Sequence, residues 1–237
     1  MIVLAFLSGD RNLREDILSG IDLHCRNAAE LFGRARTEFL ASYHADDKVT
    51  IKQRKIAKGL SFQLQYGAGA KSMAKKLLIE EEVAKKFITN YYLRYKGVKQ
   101  YQEDVANEVQ RSRTPSSRRT VSGYPAGKGT YKSVTGRRYV FFEYDAPDWS
   151  KKKVSFSPTQ MKNYPTQGFA TGDIVPLVLG HVFEALAASP LKDDALLINT
   201  VHDSIVLDVQ GNVVRETAEI VTNVMQSAPK LIKDTWG

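Results

Sequence analysis

Cysteine is almost missing from these 237 residues: Cys25 stands alone, so no disulfide within the chain is possible and nothing points to an oxidising compartment. Long apolar runs are missing as well. The opening Met1-Ile2-Val3-Leu4-Ala5-Phe6-Leu7 has no basic residues before it and runs into the charged stretch from Gly9 to Asp16 rather than a cleavage site. It also falls far short of the roughly 20 apolar residues a bilayer span needs, so no membrane role is expected and a cytoplasmic location follows. Four histidines, His24, His44, His181 and His202, show no H-E-x-x-H spacing and have no cysteine pair to join, which argues against a zinc site. There is no internal repeat and no long low-complexity tract.

What is present is enough for a core. Hydrophobic residues make up 43% and charged residues 25%, the balance of a globular chain rather than a disordered one. Lys and Arg number 34 against 26 Asp and Glu, and the net charge of +8 suits a polyanionic partner.

Apolar spacing and end signals predict helices over about 10–18 and 22–32, the second capped by Asp22 and stopped by Gly33. Ser42 to Lys48 reads as a loop. Thr50-Ile51-Lys52-Gln53 then matches a capping box for a helix running to Tyr66, closed by Gly67-Ala68-Gly69. A helical pattern follows from Ala70 to Arg111, broken near Glu80 and Gly97. Between 113 and 148 the composition shifts to Ser, Gly, Pro, Arg and Tyr, with strands expected at Val121–Tyr124 and Arg138–Phe142 around a Gly-rich turn. A helix over 158–188 should kink at Pro176. Two apolar strands, Leu196–Val201 and Ile205–Val209, form a hairpin, followed by a last helix over 213–233. The fold class is α+β, a helical lobe inserted into a small antiparallel sheet.

Two features carry chemistry. Arg54, Lys58, Phe62 and Tyr66 recur every four residues, and at about 100° per residue each step rotates the stripe by only about 40°. Ile56, Ala57, Leu60 and Leu64 fall on the nearly opposite face, where they can pack. Two cations at the start of a helix, aided by its positive end, followed by two rings suit a nucleoside triphosphate; a plain amphipathic helix with a basic solvent face has the same spacing. The second feature is Val201-His202-Asp203-Ser204, which puts Asp203 between two apolar strands, where it is either a turn former or a carboxylate presented to a cation.

The string Arg54-Lys55-Ile56-Ala57-Lys58-Gly59-Leu60-Ser61-Phe62-Gln63-Leu64-Gln65-Tyr66-Gly67 resembles motif B of family A DNA polymerases, R-x3-K-x3-[FY]-x3-Y-G. The resemblance implies a right-hand polymerase fold of which this chain is part: a palm piece over 1–7, fingers over 8–155 and palm over 156–237. It implies that Arg54 and Lys58 bind dNTP phosphates, with Lys58 also placed to protonate the pyrophosphate, that Phe62 sits by the sugar, and that Tyr66 with Gly67 lies at the template base. Ser19-Gly20-Ile21-Asp22-Leu23-His24 resembles the stretch after motif A, which makes His24 a phosphate contact. Val201-His202-Asp203-Ser204 resembles motif C, V-H-D-E, making Asp203 a Mg2+ ligand and placing His202 beside the primer terminus; Ser204 departs from the pattern. Asn163-Tyr164-Pro165-Thr166-Gln167-Gly168 resembles N-x-P-x-Q-G, whose Asn163 and Gln167 would touch template and primer, and Gly136-Arg137-Arg138 resembles a G-R-R run near duplex phosphates.

One element of the family is not found. Two-metal phosphoryl transfer needs carboxylates from two strands, and Met1-Ile2-Val3-Leu4 stands where D-Y-S-x-[IL]-E-x-R would be; Asp10 and Asp16 come too late in register. The expectation is therefore DNA synthesis conditional on a second polypeptide bearing motif A and the thumb. A non-catalytic nucleic-acid- or dNTP-binding remnant and a shortened piece of a longer enzyme remain open beside it.

Overall fold

The computed structural model describes residues 1–148, 150–202 and 204–236. Its contacts divide the chain into two compact units, Met1–Tyr131 with Arg138–Thr166, and Lys132–Arg137 with the chain from Gln167 onward.

The first unit begins with eight helices: α1 (Ile2–Ser8), α2 (Arg11–Leu18), α3 (Leu23–Leu31), α4 (Arg36–His44), α5 (Lys48–Gln65), α6 (Ala70–Leu77), α7 (Glu81–Arg94) and α8 (Lys96–Arg111). The capping signals at Asp10 and Asp22 act as expected, accepting from the N–H of Leu13 at 2.8 Å and from those of His24 and Cys25 at 2.9 Å. The expected capping box at Thr50 does not form. Asp47 is the N-cap of α5, accepting from both the N–H and the hydroxyl of Thr50, at 2.8 and 2.6 Å. An acid three residues upstream outcompetes a hydroxyl as acceptor, so α5 starts earlier than predicted and the connection from α4 shrinks to three residues. At its other end Gly67, at φ 75°, closes the helix by donating to the Leu64 carbonyl at 2.9 Å.

Leu60 and Leu64 bury the inner face of α5 against Leu13, Met73, Phe87 and Tyr95, and each buried aliphatic contributes about 1.5–3 kcal/mol. A smaller cluster of Cys25, Ala28, Phe39 and Ala57 seals α3 and α4 to the middle of α5.

Four strands follow: β1 (Thr114–Arg119), β2 (Pro125–Lys132), β3 (Arg138–Asp145) and β4 (Val154–Phe156), in sheet order β1-β2-β3-β4. The strand predicted at Val121–Tyr124 is instead the turn between β1 and β2. Gly123 at φ 83° donates to Thr120, and Thr120 donates to Tyr124, each at 2.9 Å, which bends the chain back. Phe141 and Phe156 bury one side of the sheet on Val105, Val109 and Met161.

The helix predicted over 158–188 is three segments: α9 (Pro158–Gln167), a π-helical stretch Gly168–Ile174, and α10 (Val175–Ala187). Proline explains the irregularity. Pro176 has no N–H, and the carbonyl that α-helical winding would pair with it, that of Gly172, accepts from Arg137 Nη2 at 2.7 Å instead. By length and composition alone the run Pro158–Ala187 is long and apolar enough to cross a membrane, with a mean hydropathy of 1.4 over an 18-residue window, although the run contains the ion-paired Asp173.

In the second unit α10 packs through Val178, Val182 and Leu186 on the hairpin of β5 (Ala195–Val201) and β6 (Ser204–Val209). The predicted last helix is two, α11 (Val214–Gln226) and α12 (Ala228–Trp236). Pro229 cannot donate to a helix running through it, and the Ser227 hydroxyl takes the Val224 carbonyl at 2.7 Å at the break.

Candidate nucleotide-binding site

The four-residue stripe on α5 stands as its spacing implies. Lys58, Phe62 and Tyr66 are exposed, whereas Ala57, Leu60 and Leu64 are buried behind them. The position of the cations differs from the expectation. Because α5 begins at Lys48, Arg54 and Lys58 lie well beyond its first turn, where the field of the helix end has faded. The positive charge of this face comes from side chains alone.

Helix α3 brings a second wall. His24 lies with its ring centroid 5.8 Å from that of Phe62, and Lys58 Nζ sits 5.8 Å from the same ring. Asp22, which the sequence marks only as a helix cap, does two things: Oδ1 caps α3, and Oδ2 accepts from Arg54 Nε and Nη2 at 3.1 and 2.8 Å. The Arg54 guanidinium lies over the Tyr43 ring, 4.8 Å from its centroid. Asp22 and Tyr43 are therefore members of the site that sequence spacing misses. The only signal for them was the D-x-H placement of Asp22, and nothing in the sequence marks Tyr43.

Electrostatics follows from these contacts. Burial opposes ionisation of Asp22, but the N–H groups of Cys25 and His24 and the Arg54 guanidinium outweigh it and hold the carboxyl below its usual range. Burial, then the Arg54 charge, push the His24 imidazole down, with Asp22 opposing. His24 is thus neutral at pH 7, and its buried Nδ1 has no hydrogen-bond partner among the described residues. The site offers one lysine, one arginine held on two of its nitrogens, and a neutral imidazole, flanked by two exposed rings.

The two upstream acids are consumed by the fold. Asp10 accepts from the N–H of Gly97 at 2.7 Å besides capping α2, and Asp16 binds Arg26 and accepts from the Tyr95 hydroxyl at 2.8 Å. Neither is available as a metal carboxylate. Gly67 has a structural demand of its own: a Cβ there would stand 2.8 Å from Thr159 Cα, so the end of α5 meets the start of α9 backbone to backbone. On α9, Gln167 is exposed and Asn163 half-buried.

In the second unit Arg137 is tied to Asp173, with Nε and Nη2 at 2.9 and 2.5 Å from Oδ1, so this arginine is committed to the π-helical stretch. Its neighbour Arg138 is exposed. Strands β5 and β6 pair down to Val201 and Ser204, and His202 adopts φ 56°, as a short hairpin connection with the right-handed twist of its strands demands. Asp203, on which the metal assignment rests, lies outside the described residues. Among the described residues no three His, Cys, Asp or Glu side chains gather to hold a cation, so they do not by themselves build a metal site.

A sequence model described as DNA polymerase family A matches residues 1–233. The chain belongs to that family. Family A relatives include DNA polymerase I of Lactococcus lactis subsp. lactis (strain IL1403), 29% identical over 229 residues that make up 97% of this chain and 23% of that protein. DNA polymerase I of Chloroflexus aurantiacus is 28% identical over 225 residues, 95% of this chain and 20% of the relative. Among solved structures, the POL domain of Pol1 from M. smegmatis in complex with DNA primer-template and dNTP superposes with a TM-score of 0.64 at 25% identity, covering 95% of this chain and 34% of that one. This family A chain thus spans about a quarter of the length of the DNA polymerase I relatives it matches.

Proposed function

We propose that this chain carries the nucleotide-binding part of template-directed DNA synthesis, the transfer of a nucleotide from a dNTP to a primer 3′-hydroxyl. The observation that supports it is the convergence of His24, Arg54, Lys58 and Phe62 from two helices on one exposed face. Arg54 and Lys58 neutralise the triphosphate, Lys58 hands a proton to the departing pyrophosphate, and Phe62 packs by the sugar. A neutral His24 adds a hydrogen bond without a further charge. Tyr66 and Gly67 take the template-base side. Asn163, Gln167, His202 and Arg138 face primer-template DNA, with Arg137 reaching phosphate only by loosening its hold on Asp173.

Asp203 would supply one carboxylate to a pair of Mg2+ ions, whose chemistry is to activate the 3′-hydroxyl and steady the triphosphate. The second carboxylate comes from polypeptide outside these 237 residues. Primer extension is the test, run on this chain alone and mixed with a polymerase fragment that ends in the motif A strand and brings the thumb. Synthesis by the mixture alone is expected. DNA and dNTP binding with no synthesis in any mixture would replace this reading with a non-catalytic binding role.

A further inference from the structure

The net charge of this molecule is concentrated. Between Arg113 and Lys153 the sequence holds ten Lys and Arg against three Asp and Glu, seven of the net +8, while the rest of the chain is almost neutral. Two of those three acids are spent locally: Glu143 is buried on Arg113 at 2.8 Å, and Asp145 accepts from the hydroxyl of Thr120 and the N–H of Ser122 at 2.5 and 3.0 Å.

The sheet β1–β4 sorts these residues. Along β3, burial alternates so that Phe141 and Glu143 turn inward while Arg138, Val140 and Phe142 turn to the other side. Arg118 on β1 places its guanidinium carbon over the Phe142 ring, 3.8 Å from its centroid, and Lys128 stands exposed on β2. At one end of the sheet Lys153 sits over the exposed ring of Tyr124, 5.7 Å from the centroid. The outer face therefore interleaves cations with rings and an exposed valine, all within the first unit.

We infer that this outer face is a second nucleic-acid contact, separate from the nucleotide site on α5, and that it takes a single strand. Charge selects a polyanion, and the rings select between its forms. A duplex keeps its bases stacked inside and would use only the cations, whereas a single strand lays its phosphates on Arg118 and Lys128 and stacks unpaired bases on the Tyr124 ring and against the exposed Arg118 guanidinium. Neither Mg2+ nor dNTP is needed for this contact, so it stands or falls independently of the proposed polymerase activity.

The test is fluorescence anisotropy of a labelled 12-nucleotide oligo-dT with the full chain across a KCl series, without Mg2+ or dNTP, and with a 12-base-pair duplex as competitor. Arg118→Ala/Lys128→Ala should weaken oligo-dT binding roughly 10-fold or more and reduce the slope of log K against log salt by about 1.4, two phosphate contacts at about 0.7 each. Lys75→Ala/Lys76→Ala removes the same charge from α6 and should leave the slope unchanged. Circular dichroism of both variants establishes that each is folded, and Arg118→Glu, a surface change, repeats the test if the first pair is not. Equal losses in the two double variants would reduce the effect to net charge and overturn the inference. So would a duplex that competes as well as oligo-dT, or no binding by the unmodified chain.

Discussion

The two units manage their apolar surface differently. In the first, α5 buries a full inner face, and its outer side chains are fixed by ion pairs and ring contacts, Arg54 between Asp22 and Tyr43 and Lys58 beside Phe62. In the second, the buried core is smaller, the contact of α10 with the β5–β6 hairpin, while both units leave large apolar residues in water, Leu78 at 91% and Leu18 at 74% in the first and Phe183 at 63% and Ile198 at 59% in the second. Exposed apolar residues of this kind are ordinary on a protein surface, so the difference between the units lies in what they bury. The lesson is that the α5 face that carries Lys58 and Phe62 rests on a larger core than the β5–β6 hairpin does.

The strongest way to test that contrast is at the hairpin. Asp203→Asn should reduce primer extension by the reconstituted mixture on the order of 10⁴-fold, about 5.5 kcal/mol of barrier, with dNTP binding to the chain preserved. If dNTP binding fell as well, the two functions would not be separable. Core truncation comes next. Phe39→Ala, fully buried in the first unit, should cost about 3–5 kcal/mol in urea unfolding, whereas Phe183→Ala should cost under about 1 kcal/mol. Similar costs for both would mean that Phe183 is not on a bare face.

Arg137 separates the units in another way. Its partner Asp173 has a side chain only 8% exposed, so Arg137→Ala strands a buried carboxylate and should lower stability by about 2–3 kcal/mol. Arg138→Ala should leave the melting temperature unchanged and weaken duplex binding. The smallest effect concerns Asp22. Asp22→Asn keeps a good helix cap and removes the negative charge that faces Arg54, which should cost under about 1 kcal/mol because the pair is partly exposed. A carboxyl held below its usual value contributes stability that is complete above its unfolded pKa of about 3.9 and lost as pH falls through its folded pKa. The variant should therefore be less stable than the parent above about pH 4 by a constant amount and converge with it only as the pH falls below the folded pKa of Asp22. A difference that grew toward low pH would reverse the sign and assign the pair another role.

Much of this was legible in the sequence where the interaction is local. Steps of four residues put Lys58, Phe62 and Tyr66 on one face because helix geometry permits little else, and Gly67 marked the helix end. The Asp22–Arg54 and Arg137–Asp173 pairs span 32 and 36 residues, a separation that leaves no periodic trace. Strand β1, Thr-Pro-Ser-Ser-Arg-Arg, has no alternation of apolar residues, so nothing announced it as a strand. Pro176 and Pro229 were visible, and both broke helices; the first was expected to kink its helix, and the winding just before it became π instead. The metal role proposed for Asp203 was read by motif alone, and Asp203 lies outside the described residues.

Gly67 has a mechanical consequence. Where α5 ends and α9 begins, two main chains touch with no side chain to act as a cushion, a Cβ at 67 falling 2.8 Å from Thr159 Cα. An alanine at 67 would have to push Pro158 and Thr159 away and would hold a left-handed backbone at φ 75° as well, so the spacing of these two helices is set by a side chain that is absent.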